Sequence, residues 1–440
     1  MTELSASDLA DRFVMHSNKV APSIVFERAQ GVRLWDVNGK EYLDFVSSNH
    51  GPAMVGHSHP RVVEAIQKQA EQLISTAIIY DNLPLVQLCE KMSQITPEGL
   101  DKTYICPGGG EANEGAIKLA MHLTGRDEVV SVTGAYHGQS IGTMWLCGVP
   151  SLRDQVPTAL RAPNQLQIID GNPYRAWPHS GEIDWQSSLD DLEKLAIEKE
   201  SIAAVIIEPI QGVAGHIQFG REYYERLGDI CGTAGILLIA DEIQTALGRC
   251  GSMWASDLVG LRPDIITTGK AFGGGLPYGA VTIRSDLVTA ETEQTPWHMV
   301  SAQGNPLQAA AALAVIAIVE DEHLVERSQS LGELATKRFQ EMAERYEVIG
   351  DVRGPGLFIG VELVEDRETK APASEACDGA WLKALDDGLL TNFAGIDANT
   401  FKFAPPLTVS DDDFDLMLDR AEQVVADVDR RVQGRSRAAA

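Results

Sequence analysis

The stretch Pro263-Asp264-Ile265-Ile266-Thr267-Thr268-Gly269-Lys270 runs on into Ala271-Phe272-Gly273-Gly274-Gly275-Leu276-Pro277. Ile265-Ile266 reads as the end of a short buried strand that delivers one lysine into a turn, and three glycines follow at once. Lys270 has no obvious salt-bridge partner in the neighbouring sequence. Glycines on its C-terminal side let backbone approach a bulky group with no Cβ in the way. A partly desolvated lysine has a lowered pKa and can attack an aldehyde to form a Schiff base. The plain alternative is a surface lysine beside a flexible loop, and the rest of the chain speaks against it.

Outward from this stretch, short apolar runs alternate with helical patterns between about residues 128 and 285. Glu128–Val132, Ala203–Ile207, Gly235–Ala240 and Asp264–Thr267 are candidate strands. Their Val, Ile and Leu runs lack alternation, which predicts strands covered on both faces and a parallel sheet of βαβ units. Ligands of such sheets sit at the carboxyl ends of the strands. Glu208, Asp241 with Gln244, and Lys270 all fall there. Asp241-Glu242 puts a carboxylate where burial raises its pKa unless a cation or donor faces it. It reads either as a helix cap or Arg249 partner, or as the carboxylate that keeps a pyridinium nitrogen protonated. Tyr136, in Tyr136-His137-Gly138, reads either as core or as a flat ring for stacking. Cys106-Pro107-Gly108-Gly109-Gly110-Glu111 precedes a helix with the face Ala112, Ala116, Leu119, Ala120 and Leu123. Its glycines make a plain turn or, with their free N–H groups at the dipole's positive end, a phosphate site.

A hairpin is expected around Asn38-Gly39, a pair suited to a type I′ turn, and it leads into the polar loop Ser47–Pro52. His59-Pro60 opens a helix carrying Val62, Ile66, Ala70 and Leu73. Residues 305–345 read as helical, 348–363 as a turn and strand, and Ser410 caps a last helix with the stripe Phe414, Met417, Ala421, Val424 and Val428. The fold class is therefore α/β, with a smaller α+β domain built from both termini. The expected boundaries are 1–60 and 321–440 for the small domain and 61–320 for the large one.

The 440 residues allow a large core, and 36 Lys and Arg against 63 Asp and Glu give a net charge of −27. Such a chain repels nucleic acid and anionic membrane. Six cysteines without a Cys-x-x-Cys pair fit free thiols rather than a disulfide framework or a metal site. No apolar run is long enough to span a bilayer and the N-terminus lacks a signal-peptide pattern, so a cytoplasmic location is expected.

A lysine nucleophile, a carboxylate, an aromatic ring and a glycine-rich anion nest are the parts that pyridoxal 5′-phosphate (PLP) requires. Here the sequence resembles the class III aminotransferases of PLP fold type I, from about Val32 to Val428. The matching motifs are Asp241-Glu242-Ile243-Gln244-Thr245 with Gly248-Arg249, Thr268-Gly269-Lys270 with Gly273–Pro277, Glu208–Gly212, Gly304-Asn305-Pro306 and Gly354–Leu357. The resemblance implies that Lys270 carries the cofactor as a Schiff base and then shuttles the proton. Asp241 would pair with the pyridine nitrogen, Gln244 would bond the phenolic oxygen, and Tyr136 would stack on the ring. Gly109 and Gly110 would hold the phosphate together with Ser301 from the partner subunit of a homodimer, or of a dimer of dimers. Glu208 belongs to the cofactor-binding set by the same resemblance. Ser301 stands where the family usually has threonine.

Asp351–Gly354, Asp366–Lys370 and Ala404–Ser410 are similar to 2,2-dialkylglycine decarboxylase. That enzyme has an arginine where Lys402 stands, and ornithine and 4-aminobutyrate aminotransferases pair it with a glutamate where Val213 stands. The ion pair is absent here. Lys402, His50 and Tyr136 are accordingly the candidate substrate residues. The resemblance implies ping-pong transfer of an amino group from an amino acid or acidic amine to an oxo acid such as pyruvate or 2-oxoglutarate. The alternatives are PLP-dependent decarboxylation or racemisation on the same scaffold, and a binding protein without turnover.

Overall fold

The computed structural model describes residues 5–16, 23–155, 157, 165–168, 171–175 and 184–439. The described residues open with the Ala6–Phe13 helix and three strands, β1 (Phe26–Gln30), β2 (Arg33–Asp36) and β3 (Glu41–Asp44). β2 and β3 form the hairpin expected at Asn38-Gly39. The turn is not type I′, because only Gly39 of the pair is left-handed, at φ 80°. Asp36 shapes the loop instead: its Oδ1 accepts the N–H groups of Asn38 and Lys40, both at 2.9 Å.

Seven strands make the central sheet: β4 (Leu100–Cys106), β5 (Glu128–Val132), β6 (Gln165–Ile168), β7 (Ile202–Ile207), β8 (Leu237–Asp241), β9 (Ile265–Thr268) and β10 (Gly279–Arg284). Their spatial order is β4-β10-β9-β8-β7-β5-β6. The β9-β8-β7-β5-β6 run is parallel, whereas β10 runs against both of its neighbours. The unbroken apolar runs are explained by two cores, one on each face. Ala204 and Ile206 pack on one side with Ile239, Ile265 and the Ala112–Ala120 face of the Gly109–Thr124 helix. Val205 and Ile207 pack on the other with Leu238, Ala240 and Ile266. There the Pro306–Asp321 helix lies against the Pro60–Ala70 and Leu83–Ile95 helices.

The last third builds β11 (Ile349–Arg353), β12 (Ile359–Asp366), the short β13 (Ala371–Pro372), β14 (Leu389–Leu390), β15 (Phe393–Ala394) and β16 (Thr400–Phe403). β11-β12-β16-β15 form a sheet with β13 on β12. β14 instead pairs with β3, so the N-terminal hairpin joins the C-terminal strands. Ser410 Oγ accepts the Asp413 N–H at 3.2 Å at the head of the final helix, Asp411–Ala439, whose predicted stripe is buried. No helix among the described residues is long and apolar enough to cross a membrane.

Candidate active site

Parallel strands bring their carboxyl ends to one edge, and the chemistry-bearing residues collect there. β7 is followed by Glu208, β8 ends on Asp241, and β9 is followed by Gly269-Lys270. β5 leads to the Tyr136-His137-Gly138 loop, and β4 leads to Gly108 and the Gly109–Thr124 helix.

Asp241 is buried, yet it is fully provided with donors. Its Oδ2 lies 2.7 Å from His137 Nδ1 and accepts Asn113 Nδ2 at 2.7 Å, while Oδ1 accepts the Ile243 N–H at 3.1 Å. A carboxylate can only accept, so the His137 proton sits on Nδ1. His137 Nε2 is buried with no hydrogen-bond partner among the described residues. Asn113 is itself fixed, donating to the His137 carbonyl at 2.8 Å and accepting Thr267 Oγ1 at 2.7 Å.

Lys270 opens a short 3₁₀ turn, Lys270–Gly273, with a left-handed φ of 46°. Burial pushes its pKa down, and the charges of Asp241 and Glu208 oppose that shift. Glu208 moves the other way. Burial and the nearby Asp241 charge raise it to about 7, against His137 and two backbone donors. Those donors are the N–H groups of Tyr136 at 2.8 Å and Gly212 at 2.9 Å, one on each carboxylate oxygen. Glu208 therefore ties the loop after β5 to the loop after β7.

Glycines let backbone close around the helix start. A Cβ on Gly269 would lie 3.1 Å from Gly109 Cα, and one on Gly138 would lie 3.1 Å from Gly110 Cα. The first turn of the helix carries no side-chain cap, which leaves its N–H groups for a ligand. Gln244 lies across Gly212, where a Cβ would come within 2.7 Å of its Cδ, and its Oε1 is buried with no partner among the described residues.

The class III aminotransferase profile matches residues 14–425. The chain belongs to that family. Leucine/methionine racemase of Thermococcus litoralis is 36% identical over 409 residues, which is 92% of this chain and 91% of that protein. The 5-aminovalerate aminotransferase of Pseudomonas aeruginosa is 36% identical over 399 residues, covering 88% and 90%. Among solved structures, the taurine:2-oxoglutarate aminotransferase of Bifidobacterium kashiwanohense, in complex with PLP and glutamate, superposes with a TM-score of 0.90 at 25% identity, covering 98% of this chain and all of that one. The fold is PLP fold type I, and the chain is a PLP-dependent transaminase.

Within this aminotransferase the substrate candidates are placed unevenly. Lys402 is on β16 of the C-terminal sheet, not on the central sheet, and is 1% exposed. A solvent-facing strand lysine is thereby ruled out. Burial lowers its pKa to about 7, helped by the charges of Lys270 and Arg249 and opposed by Glu208. The backbone of His50 closes the Ser47–His50 turn, and its side chain lies outside the described residues. Ser301 is exposed in a turn, as a residue must be if it is to reach a second copy.

The carboxylates of Asp241-Glu242 have parted roles. Glu242 is buried and accepts the Ser256 N–H at 2.6 Å and Ser256 Oγ at 2.7 Å. Arg249 serves neither of them. It donates to the carbonyls of Leu357 at 3.0 Å and Pro405 at 2.7 Å and to Ser47 Oγ at 2.9 Å. Its burial among neutral oxygens lowers its pKa to about 10.

Sequence reasoning missed Asn113, Thr267 and the role of His137. The signal for Asn113 was one polar residue on the apolar Ala112–Ala120 face, since a buried amide must find partners. Thr267 and His137 carried no comparable signal, because their partner is brought in by folding.

Proposed function

We propose that this transaminase moves an amino group from an amino acid or other acidic amine to an oxo acid such as pyruvate or 2-oxoglutarate. When bound, PLP supplies an electron sink for the donor's Cα. The residues present suit that group: a backbone seam against Gly109 and Gly110 that Cβ atoms on Gly269 and Gly138 would fill, and the buried, unpartnered Gln244 Oε1 and His137 Nε2. In this reading Lys270 is the attachment point, and its Nζ takes the proton from Cα. Asp241 holds the ring nitrogen's proton, Gln244 meets the phenolic oxygen, Tyr136 covers the ring, and Glu208 fixes the loops on either side. Gly109 and Gly110 receive the phosphate, with Ser301 of a second copy.

The observation that carries the reading is Lys270, poorly solvated and flanked by Asp241 and Glu208 at one sheet edge. Its lowered pKa leaves more free amine at neutral pH, as a nucleophile and proton carrier needs. Lys402 would take the donor's carboxylate, since it is a buried cation close enough to feel Lys270 and Glu208. We read the chain as a cytoplasmic homodimer or dimer of dimers, with residues 61–320 as the large domain and 1–60 with 321–440 as the small one.

Racemisation is the second reading, favoured by the 36% identity to a leucine/methionine racemase. One experiment separates the two. Enantiopure amino acids are added singly and followed by absorbance and by chiral chromatography. Conversion to the pyridoxamine form with oxo-acid release is the expected result. Loss of optical purity without oxo acid would establish the racemase instead, and no spectral change with any acidic amine would refute the proposed function.

A further inference from the structure

The turn that follows β3 is built unusually. Ser47 and Ser48 both have φ of 46°, two consecutive non-glycine residues in the left-handed region, and Gly51 follows at 117°. Side chains resist that conformation, so the surroundings must impose it.

Two sets of contacts do so. Asp44, fully buried at the end of β3, accepts the Val46 N–H on Oδ1 at 3.0 Å. Its Oδ2 accepts the Ser48 N–H in a short bond, Ser48 Oγ at 3.1 Å and His57 Nε2 at 2.8 Å. His57 Nε2 also lies 3.0 Å from Ser48 Oγ. One imidazole nitrogen facing both partners is a clamp and not a proton relay, which would need the two ring nitrogens on opposite partners. The second set points across the molecule. Ser47 Oγ, buried, donates to the Ala404 carbonyl at 2.8 Å and accepts from Arg249 at 2.9 Å. The Ala404 N–H in turn donates to the Phe45 carbonyl at 2.8 Å.

Ala404 is two residues beyond Lys402 on the same extended segment. Ser47 therefore joins the strained turn to the strand that carries the buried lysine. We infer that Ser47, with Asp44 and His57, is a positioning residue: it holds the Ser47–His50 turn in register with β16, and so fixes the substrate end of the site. The inference rests on the reading of Lys402 as substrate anchor. Glycine at position 47 would adopt the left-handed conformation freely, so Ser47→Gly removes the hydroxyl bridge without adding backbone strain.

The test is Ser47→Gly, with Ser48→Gly beside it and Lys402→Met run in parallel. For Ser47→Gly the expected results are a thermal midpoint lowered by a few degrees at most, since backbone relief offsets part of the cost of leaving the Ala404 carbonyl and Arg249 short of a partner, PLP affinity within about twofold of wild type, and KM for the amino donor raised about tenfold. Amide hydrogen exchange should quicken at residues 46–52 and not in the central sheet. Ser48→Gly, which keeps the Ser47 hydroxyl, should shift KM less. Wild-type KM and exchange in Ser47→Gly would overturn the inference. So would a lowered midpoint together with weakened PLP binding, which would make Ser47 a strut for the whole fold. A silent Lys402→Met would sink the anchor reading and the inference built on it, whereas Lys402→Met raising KM while Ser47→Gly leaves it unchanged would sink the inference alone.

Discussion

His137 Nδ1 sits 2.7 Å from Asp241 Oδ2, on the same oxygen that Asn113 holds at 2.7 Å. Two donors on one oxygen lock the carboxylate's rotation and leave Oδ1 with a single backbone bond at 3.1 Å. Asp241→Asn should raise the barrier to Cα deprotonation by at least ~3 kcal/mol, measured by single-turnover absorbance, with little change in donor affinity. His137→Phe, which removes one charge-assisted bond and keeps the ring, should slow the same step about tenfold. A near-normal single-turnover rate in Asp241→Asn would refute the role given to that residue.

Borohydride reduction of the yellow holoenzyme should fix the cofactor on Lys270 and on no other lysine, as read by peptide mass spectrometry. Lys270→Ala should still bind PLP, through the helix start and Asp241, while losing turnover by several orders of magnitude.

Lys402 ties stability to pH with a definite sign. Its pKa is about 7 in the folded chain against an ordinary 10.5. Between those values the unfolded chain binds more protons, so its contribution to stability increases with pH across that window. Below about 7 the buried charge exerts its full penalty. Lys402→Met should therefore raise the thermal midpoint most at acidic pH and flatten that slope. The same substitution should raise KM for an acidic donor about tenfold, ~1.4 kcal/mol. In the wild type that KM should climb as pH passes above 7, and a KM independent of pH would place the carboxylate elsewhere.

Ser301 is exposed in the isolated chain, which makes complementation decisive. Mixing Lys270→Ala subunits with Ser301→Ala subunits should give heterodimers with one fully wild-type site, and activity above that of either parent. A mixture no more active than its two parents would show that Ser301 serves no second copy.

The strands that ended in chemistry were legible because burial on both faces writes an unbroken apolar run. Ala203–Ile207 and Asp264–Thr267 were placed within a residue or so of the observed β7 and β9. β4 was not legible, because Asp101 and Lys102 are exposed on an edge strand and break the pattern. β10 carries an apolar run, but nothing local reveals that it lies antiparallel between β4 and β9. In the proposed site, Lys270 and Asp241 stood out because they lie at or just past strand ends, whereas the role given to Gln244, three residues beyond β8, came from the family resemblance. The Ser47–Ala404 tie could not, since it joins segments 357 residues apart.

Lys270 occupies a left-handed backbone position, φ 46°, beside the glycine of the Gly269-Lys270 pair. Glycine would sit there at lower conformational cost, by about 1 kcal/mol. The chain is thus held slightly above its own energetic minimum at the residue proposed to carry the cofactor. Released from selection for the proposed catalysis, a descendant of this protein would gain stability by losing that lysine, and would keep the pocket without its proposed covalent anchor.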